Sequence, residues 1–443
     1  MSPDIVKLRE ELAKSNNHET SFLRGCIADF IKDKADRNLL NICLNAGVLQ
    51  DFFQEVTHDT FFIRRCINKL IEEFCITESA AEKAVGYCKF LTGEETESEL
   101  IPYRKGKKWG YYTPDKKIVI DCVYDDAYLF TDRLASVSVN DKCAYIDKNG
   151  RNVVPFIYDQ VHPEFFEGLA AVSCNEKWSI IDIDGNKITG NIFDEVNSCS
   201  EGMVAVCINE KWGFVDKNGT IVVPCIYDSV ESFSEGMAAV SMDNKWGFID
   251  ITGKEVVSPV YDRVESFSEG LAVIEISGRF GFINKIGKVV IPCHYSSAYS
   301  FSEGLAAVTT IAESVLDRRT GYIDKNERVI IPFVYNCITD VSQFSEGLAF
   351  VNSGEKWGYI DKNGKIIIPF TFDSNGGTNQ FSEGLAWVSI SKKKGFCVIN
   401  KTGKIVIQDA YDYGLPFSGG LAMVKLNGEW GYINKLGEQY WED

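Results

Sequence analysis

One segment constrains the fold more than any other: Lys356-Trp357-Gly358-Tyr359-Ile360-Asp361-Lys362-Asn363-Gly364-Lys365-Ile366-Ile367-Ile368-Pro369. It reads as strand, tight turn, strand. Asn-Gly between two apolar runs is the strongest short hairpin signal, because both residues tolerate positive φ. Versions of the segment recur ten times from residue 100 onward. A chain built this way is a repeat array, and each unit has to bury its apolar faces on its neighbours.

The units align on the residue nine places before the Trp-Gly position: Leu100, Leu134, Leu169, Met203, Met237, Leu271, Leu348, Leu385 and Leu421. The exception is Leu305, fifteen before Thr320. Each unit then reads as three antiparallel strands: Gly-Leu-Ala-x-Val, Lys-Trp-Gly-Tyr-Ile-Asp and Lys-Ile-Val-Ile-Pro. A connection of the form Tyr-Asp-x-x-x-x-Phe-Ser-Glu-Gly leads to the next unit. Trp212 and Phe214 fall on one strand face, Gly213 and Val215 on the other. The small Gly leaves room for another backbone or ring. Pro155, Pro224, Pro292, Pro332 and Pro369 end ladder pairing. Leu-Ala-Ala-Val and Ile-Ile-Ile-Pro do not alternate, so both faces of each unit are expected to be covered.

These motifs resemble the WG-repeat family of bacterial proteins. The likeness spans residues 98 to 443 and rests on two motifs in fixed order: Lys-Trp-Gly-Tyr-Ile-Asp-Lys-Asn-Gly and Phe-Ser-Glu-Gly-Leu-Ala. The motif pairs Trp109-Gly110, Trp212-Gly213, Trp246-Gly247, Trp357-Gly358 and Trp430-Gly431 carry it, with Trp178 in a departing copy, Trp178-Ser179. Cys143-Ala144, Phe280-Gly281, Thr320-Gly321 and Lys394-Gly395 also depart. The resemblance implies an interaction module without chemistry of its own.

A ring would close by sharing one blade between the two ends of the chain. Here the array starts in phase at Leu100 and ends after the third strand of unit ten, at Gln439-Tyr440-Trp441. Ten blades also exceed the usual four to eight. The expectation is therefore an open, solenoid-like array of ten three-stranded units, with a closed or double β-propeller as the alternative.

Residues 1–93 read as a helical bundle, making the chain multidomain, α plus all-β. Six apolar stripes at helical spacing run from Ile5-Leu8-Leu12 to Ala81-Ala84-Val85-Cys88-Leu91, the last closed by Gly93. Acidic residues outnumber basic ones in this part, the wrong sign for a DNA-reading helix-turn-helix. Its ending, Leu70 to Gly93, resembles a helical adaptor module of varied bacterial proteins. The acidic segment 94–97 reads as a linker to the array of residues 98–443.

Composition narrows the partners. A net charge of −17 argues against nucleic acid or an anionic membrane. Fourteen Cys without a CxxC pair read as free thiols in a reducing compartment, and the start shows no secretory leader. A cytoplasmic protein is expected.

No phosphate loop, HExxH, GxSxG or strand-linked GxGxxG occurs, so no catalytic residue, cofactor or metal is assigned. His18, His58, His162 and His294 stand far apart in sequence. Asp216-Lys217-Asn218-Gly219 lacks the spaced carboxylates of a calcium loop and reads as a turn. The repeated Glu235, Glu269, Glu303, Glu346 and Glu383 read as satisfying turn donors. A residue shared by all units serves folding, so function is expected where units differ. Unit seven carries six extra residues within Thr309–Arg319, including Glu313, Asp317, Arg318 and Arg319. Further extra residues are read around 336–343, 373–380 and 411–416. Loop insertions on a repeat scaffold tend to share a binding face. The reading is a non-enzymatic scaffold that binds another protein. The alternatives are a glycan or cell-wall binder with exposed Trp rings, or an adaptor in a bacterial signalling or defence system.

Overall fold

The computed structural model describes residues 7, 8, 12, 20–31, 34–54, 65–67, 69, 70, 74, 78–91 and 100–442, except 132, 313, 315, 316, 337–342, 355, 374–377 and 390–394. The chain divides into two compact units, Met1–Leu100 and Ile101–Asp443.

The first unit contains helices α1 (Thr20–Phe30), α2 (Lys34–Asn45), α3 (Val48–Gln54) and α4 (Glu78–Leu91). The remaining two expected stripes fall largely outside the described residues, although Leu8, Leu12, Cys66, Ile67 and Leu70 are buried with the rest of the core. Gly47 takes φ +74° between α2 and α3, where the chain has to turn. Asp36 of α2 accepts hydrogen bonds from the Tyr87 hydroxyl (2.6 Å) and Lys83 Nζ (2.9 Å) of α4, so this buried carboxylate is paired.

The second unit is a closed β-propeller of ten blades, which corrects the open array expected above. Ten separate sheets form it. Two features hidden in the connections account for the difference. First, blades carry a fourth, two-residue strand drawn from the Tyr-Asp-x-x-x-x-Phe connection. In blade five, Ser229–Val230 pairs with Met237–Met242, which pairs with Lys245–Asp250 and then Glu255–Tyr261. Second, the last residues serve two blades. Gln439 bridges Ile433 and Tyr440 N–H donates to Tyr432 O, as the third strand of blade ten should. Trp441–Glu442 then pairs in parallel with Arg104 and Lys105 of blade one. Arg104 Nε also donates to Trp430 O at 3.0 Å, and Tyr103 Oη to Glu442 Oε1 at 2.9 Å. The shared blade exists, but it is made from two residues that read as the tail of a strand.

The Trp-Gly pair has a mechanical cause. A Cβ on Gly213 would lie 2.3 Å from Val223 O and 2.7 Å from the Pro224 carbonyl carbon. The third strand is bulged and presses its backbone onto the second at this point. The Trp on the other face packs between blades. Phe214, with Trp212 beside it, joins Ala238, Val240 and Ile249 of blade five, while Val215 joins Ala171 and Ile180 of blade three. Both faces are covered, as the non-alternating pattern required.

Turn chemistry is the reverse of the expected one. At Asn149-Gly150, Asn218-Gly219 and Asn363-Gly364 only the Gly has positive φ (+76° to +77°). Instead the hairpins between first and second strands carry two left-handed residues, such as Asn175-Glu176 (52°, 61°) and Asn209-Glu210 (51°, 62°). Glu235-Gly236 (53°, 81°) does the same in the Phe-Ser-Glu-Gly turn. These are the two-residue turns whose twist matches antiparallel strands.

Candidate functional site

In a four-stranded meander successive connections alternate between the two ends of the blade. One end therefore carries the Ser-Glu-Gly and Asp-Lys-Asn-Gly turns. The other carries the first-to-second-strand hairpins and the connections between blades.

The turn end repeats one pattern. Each repeated Glu reaches the following blade. Glu235 accepts the Gly270 N–H at 2.9 Å and pairs with Lys285 at 3.0 Å. Glu269, Glu303, Glu346 and Glu383 take the corresponding Gly N–H and the Lys at 325, 362, 401 and 435. Ser234 Oγ adds a bond to Phe267 O at 2.8 Å. Burial pushes the Glu235 carboxyl up, but Lys285 and the Gly270 N–H outweigh it and hold it below the usual carboxylate range. The Glu row is thus a set of inter-blade staples. It satisfies backbone donors, but those of the neighbouring unit.

The hairpin end has its own staple. Asp125 takes Lys108 of its own blade at 2.6 Å and the Asn140 N–H of the next hairpin at 2.9 Å. Asp159, Asp194, Asp228 and Asp262 repeat this. Lys108, then the Asn140 N–H, keeps Asp125 below the usual carboxylate range. Sequence reasoning missed both staples. The recurring Lys-to-Asp spacing, as from Lys108 to Asp125 and Lys142 to Asp159, is the signal that could have found this one.

The larger departures in length belong to blades seven to nine, while the connection into blade three gains one residue, Tyr158 to Phe165 spanning seven steps. Six residues are added between Leu305 and Thr320 in blade seven. The connections into blades eight and nine each gain three: Tyr335 to Phe344 and Phe372 to Phe381 span nine steps, against six from Tyr227 to Phe233. The hairpin of blade nine gains two, because Phe396, not Lys394, takes the Trp position opposite Ser389. That register also removes the extra residues read at 411–416. Tyr413–Gly414 is an ordinary two-residue strand opposite Lys425 and Val424.

Of the candidate loop residues, Glu313 lies outside the described residues. Asp317 is exposed; Arg318 and Arg319 are half-buried. The loop root is clamped: Thr310 N–H donates to Arg319 O at 2.9 Å, and Arg319 N–H to Thr310 Oγ1 at 3.1 Å. Beneath it, where most other blades hold a Trp or Phe, is a buried hydroxyl chain. Ser297 Oγ donates to Thr309 Oγ1 at 2.9 Å, and Thr309 and Thr320 hydroxyls meet at 2.9 Å.

The scaffold Trp residues pack. Trp109 and Trp357 are buried, and Trp178, Trp212, Trp246 and Trp430 are half-buried; none of the eight rings is exposed. His162 sits edge-on to Trp178 at 5.4 Å, and its burial lowers its pKa. His294 Nε2 meets Glu327 Oε1 at 2.7 Å, joining blades six and seven. His18 and His58 lie outside the described residues. An open recess of about 530 Å³ at blade three is lined by Asp159, Gln160, Ser173, Asn175 and Glu176. These residues supply no nucleophile–base pair. Among the described residues no group of three or more His, Cys, Asp or Glu side chains is placed to hold a metal ion. Among them, too, no helix is long and apolar enough to cross a membrane.

A closed ring of stapled, near-identical blades defines a repeat β-propeller. The chain belongs to the family of the WG containing repeat, which matches residues 109–143, 144–178, 178–212, 212–246, 246–279, 280–310, 321–357, 357–393 and 398–430. No curated protein matches it. Solved structures with similar folds include a eukaryotic initiation factor (10% identity, 72% of this chain, 97% of that one, TM-score 0.47). Others are AztD of Citrobacter koseri (13%, 75% and 95%, TM-score 0.33) and Hsv2p of Kluyveromyces lactis (10%, 62% and 93%, TM-score 0.32).

Proposed function

We propose that the protein is a non-catalytic scaffold for protein–protein interaction. It presents the hairpin end of blades seven to nine to a partner protein, with the helical unit as a second docking module. One observation carries this reading: the added residues of the array are concentrated in three consecutive blades, seven to nine. Neutral drift would scatter them over the whole ring. A rigid ring holding irregular loops is a common way to build a recognition surface. The half-buried and buried Trp rings weigh against the glycan-binding alternative, which needs exposed faces. The twelve described cysteines are free thiols, which supports a reducing, cytoplasmic setting.

The test replaces residues 311–318 by a two-residue Asn-Glu turn like that of blade four. The exchanged protein should keep its melting temperature and lose the partners captured by the wild type. An unchanged set of captured partners would remove this face from consideration.

A further inference from the structure

We infer that the outer edge of blade one takes up an added β-strand from a basic segment of a partner protein, with Asp121 as its selective contact. This surface lies on the outer edge of a blade, apart from the hairpin end of blades seven to nine, and does not depend on that reading.

An open sheet edge invites another strand. The third strand of each blade is such an edge. In blade one, Ile118–Tyr124 pairs with Lys108–Tyr112 on one side and with no strand among the described residues on the other. Six of the eight edge strands of seven or eight residues carry a Pro within the strand: Pro155, Pro224, Pro259, Pro292, Pro332 and Pro369. Pro offers no N–H to an incoming strand and is tolerated only where the ladder does not need one. Those edges are closed to a further strand. Blades one and nine instead hold Asp121 and Gln408 at the fourth position of the strand.

The backbone of blade one is built like that of blade four. A Cβ on Gly110 would lie 2.4 Å from Ile120 O and 2.7 Å from the Asp121 carbonyl carbon, close to the 2.3 Å and 2.7 Å found for Gly213 against Val223 O and Pro224. Blades two, four, six, seven and eight keep their ladders with Pro at the Asp121 position. Asp121 likewise has no partner residue in the second strand. Its N–H is therefore not spent on that strand and faces an outside acceptor.

The exposed side chains select the strand that fits. Val119, Asp121 and Val123 alternate along the edge and are exposed, the two Val at 45% and 53%, with Ile118 at 59% before them. On the blade-nine edge Val406, at 38%, is the only exposed apolar side chain among the described residues. In an added strand, side chains directly opposite on one face decide the match, while main-chain hydrogen bonds supply affinity. The complement of Val-x-Asp-x-Val is apolar-x-basic-x-apolar, with Lys or Arg opposite Asp121. A second copy fits worse, because antiparallel pairing centred here sets Asp121 against Asp121 and like charges repel. The net charge of −17 also favours a basic partner.

The experiment selects displayed random seven-residue peptides on the full chain, with counter-selection on Asp121→Pro. The wild type should enrich peptides in which Lys or Arg is flanked, two places away on each side, by an apolar β-former. These peptides should bind Asp121→Asn about 2–5-fold more weakly. Asp121→Lys should reverse the preference and take versions with Glu in place of the basic residue. Asp121→Pro should bind none of them and keep the wild-type melting temperature, since blades four and six carry Pro there. The charge swap tests the edge even in a chain that Asp121→Pro destabilises. Binding should survive exchange of the blade-seven loop. No enrichment over Asp121→Pro, a motif without a basic residue, an unchanged preference in Asp121→Lys, or loss of binding on the loop exchange would each overturn the proposal. A dimer of the peptide-free chain that Asp121→Pro abolishes would overturn it in favour of a second copy.

Discussion

Trp441 lies across Gly431, so that a Cβ on Gly431 would sit 2.3 Å from the indole Cε3. In blades such as four and five this spot is filled by the backbone of the bulged third strand, as Val223 O fills it over Gly213. In blade ten an aromatic ring takes its place, and the chain leaves for blade one. Trp441→Ala should therefore cost about 3 kcal/mol, the usual scale for emptying a packed Trp site. Calorimetry should show a lower melting temperature and unfolding that begins in blades one and ten by hydrogen exchange. Loss of protection spread evenly over all blades would argue against a localised seam.

The two kinds of repeated Gly are separable by substitution. Gly213→Ala meets backbone at 2.3 Å and has no flexible neighbour to move. Gly236→Ala meets nothing within 4 Å but sits at φ +81°. The first should destabilise by about 3 kcal/mol or more, in the range of severe core effects. The second should cost about 1–2 kcal/mol for a left-handed Ala. Denaturant titration of the two variants checks the order.

One Glu staple lacks its Lys. Glu201 accepts the Gly236 N–H at 2.8 Å, yet the position that supplies Lys285 or Lys362 elsewhere is Ile251. Ile251→Lys should complete that staple and stabilise the protein by about 0.3–0.5 kcal/mol, the range for an exposed pair. The gain should vanish in 1 M salt. A salt-independent gain would point to another cause.

Acid should loosen the ring. Asp125, Asp159, Asp194, Asp228 and Asp262 are held below the usual carboxylate range, chiefly by their Lys partners and then by hairpin N–H groups. Glu167 and Glu235 are also depressed, their Lys and Gly partners outweighing burial. A carboxyl depressed on folding stabilises above its unfolded pKa, about 4, and loses that contribution as pH falls through the folded value. The melting temperature should stay level from pH 7 to about 5 and fall below about 4. An Asp228→Asn, Glu235→Gln variant should show a shallower fall.

The repeat, the Trp in packing and the six added residues of blade seven were legible from residue types and spacing. Closure was not, because Trp441–Glu442 is a two-residue pairing without a sequence signature of its own. The short strands such as Ser229–Val230 were hidden for the same reason. The register of blade nine went wrong at Lys394, since Phe396 fills the Trp site and spacing alone cannot tell a shifted aromatic from a substituted one. The staples were missed because Glu235 and Asp228 bind partners in the next unit, and a motif read within one unit shows only local donors.

The central claim is that partners bind the hairpin end of blades seven to nine. Partner complexes captured from the native host, cross-linked through carboxylates and lysines and mapped by mass spectrometry, test it most directly. The account predicts links concentrated on residues around 310–319, 336–343 and 373–380. Links concentrated on the Glu–Lys turn end, or spread evenly around all ten blades, would contradict it.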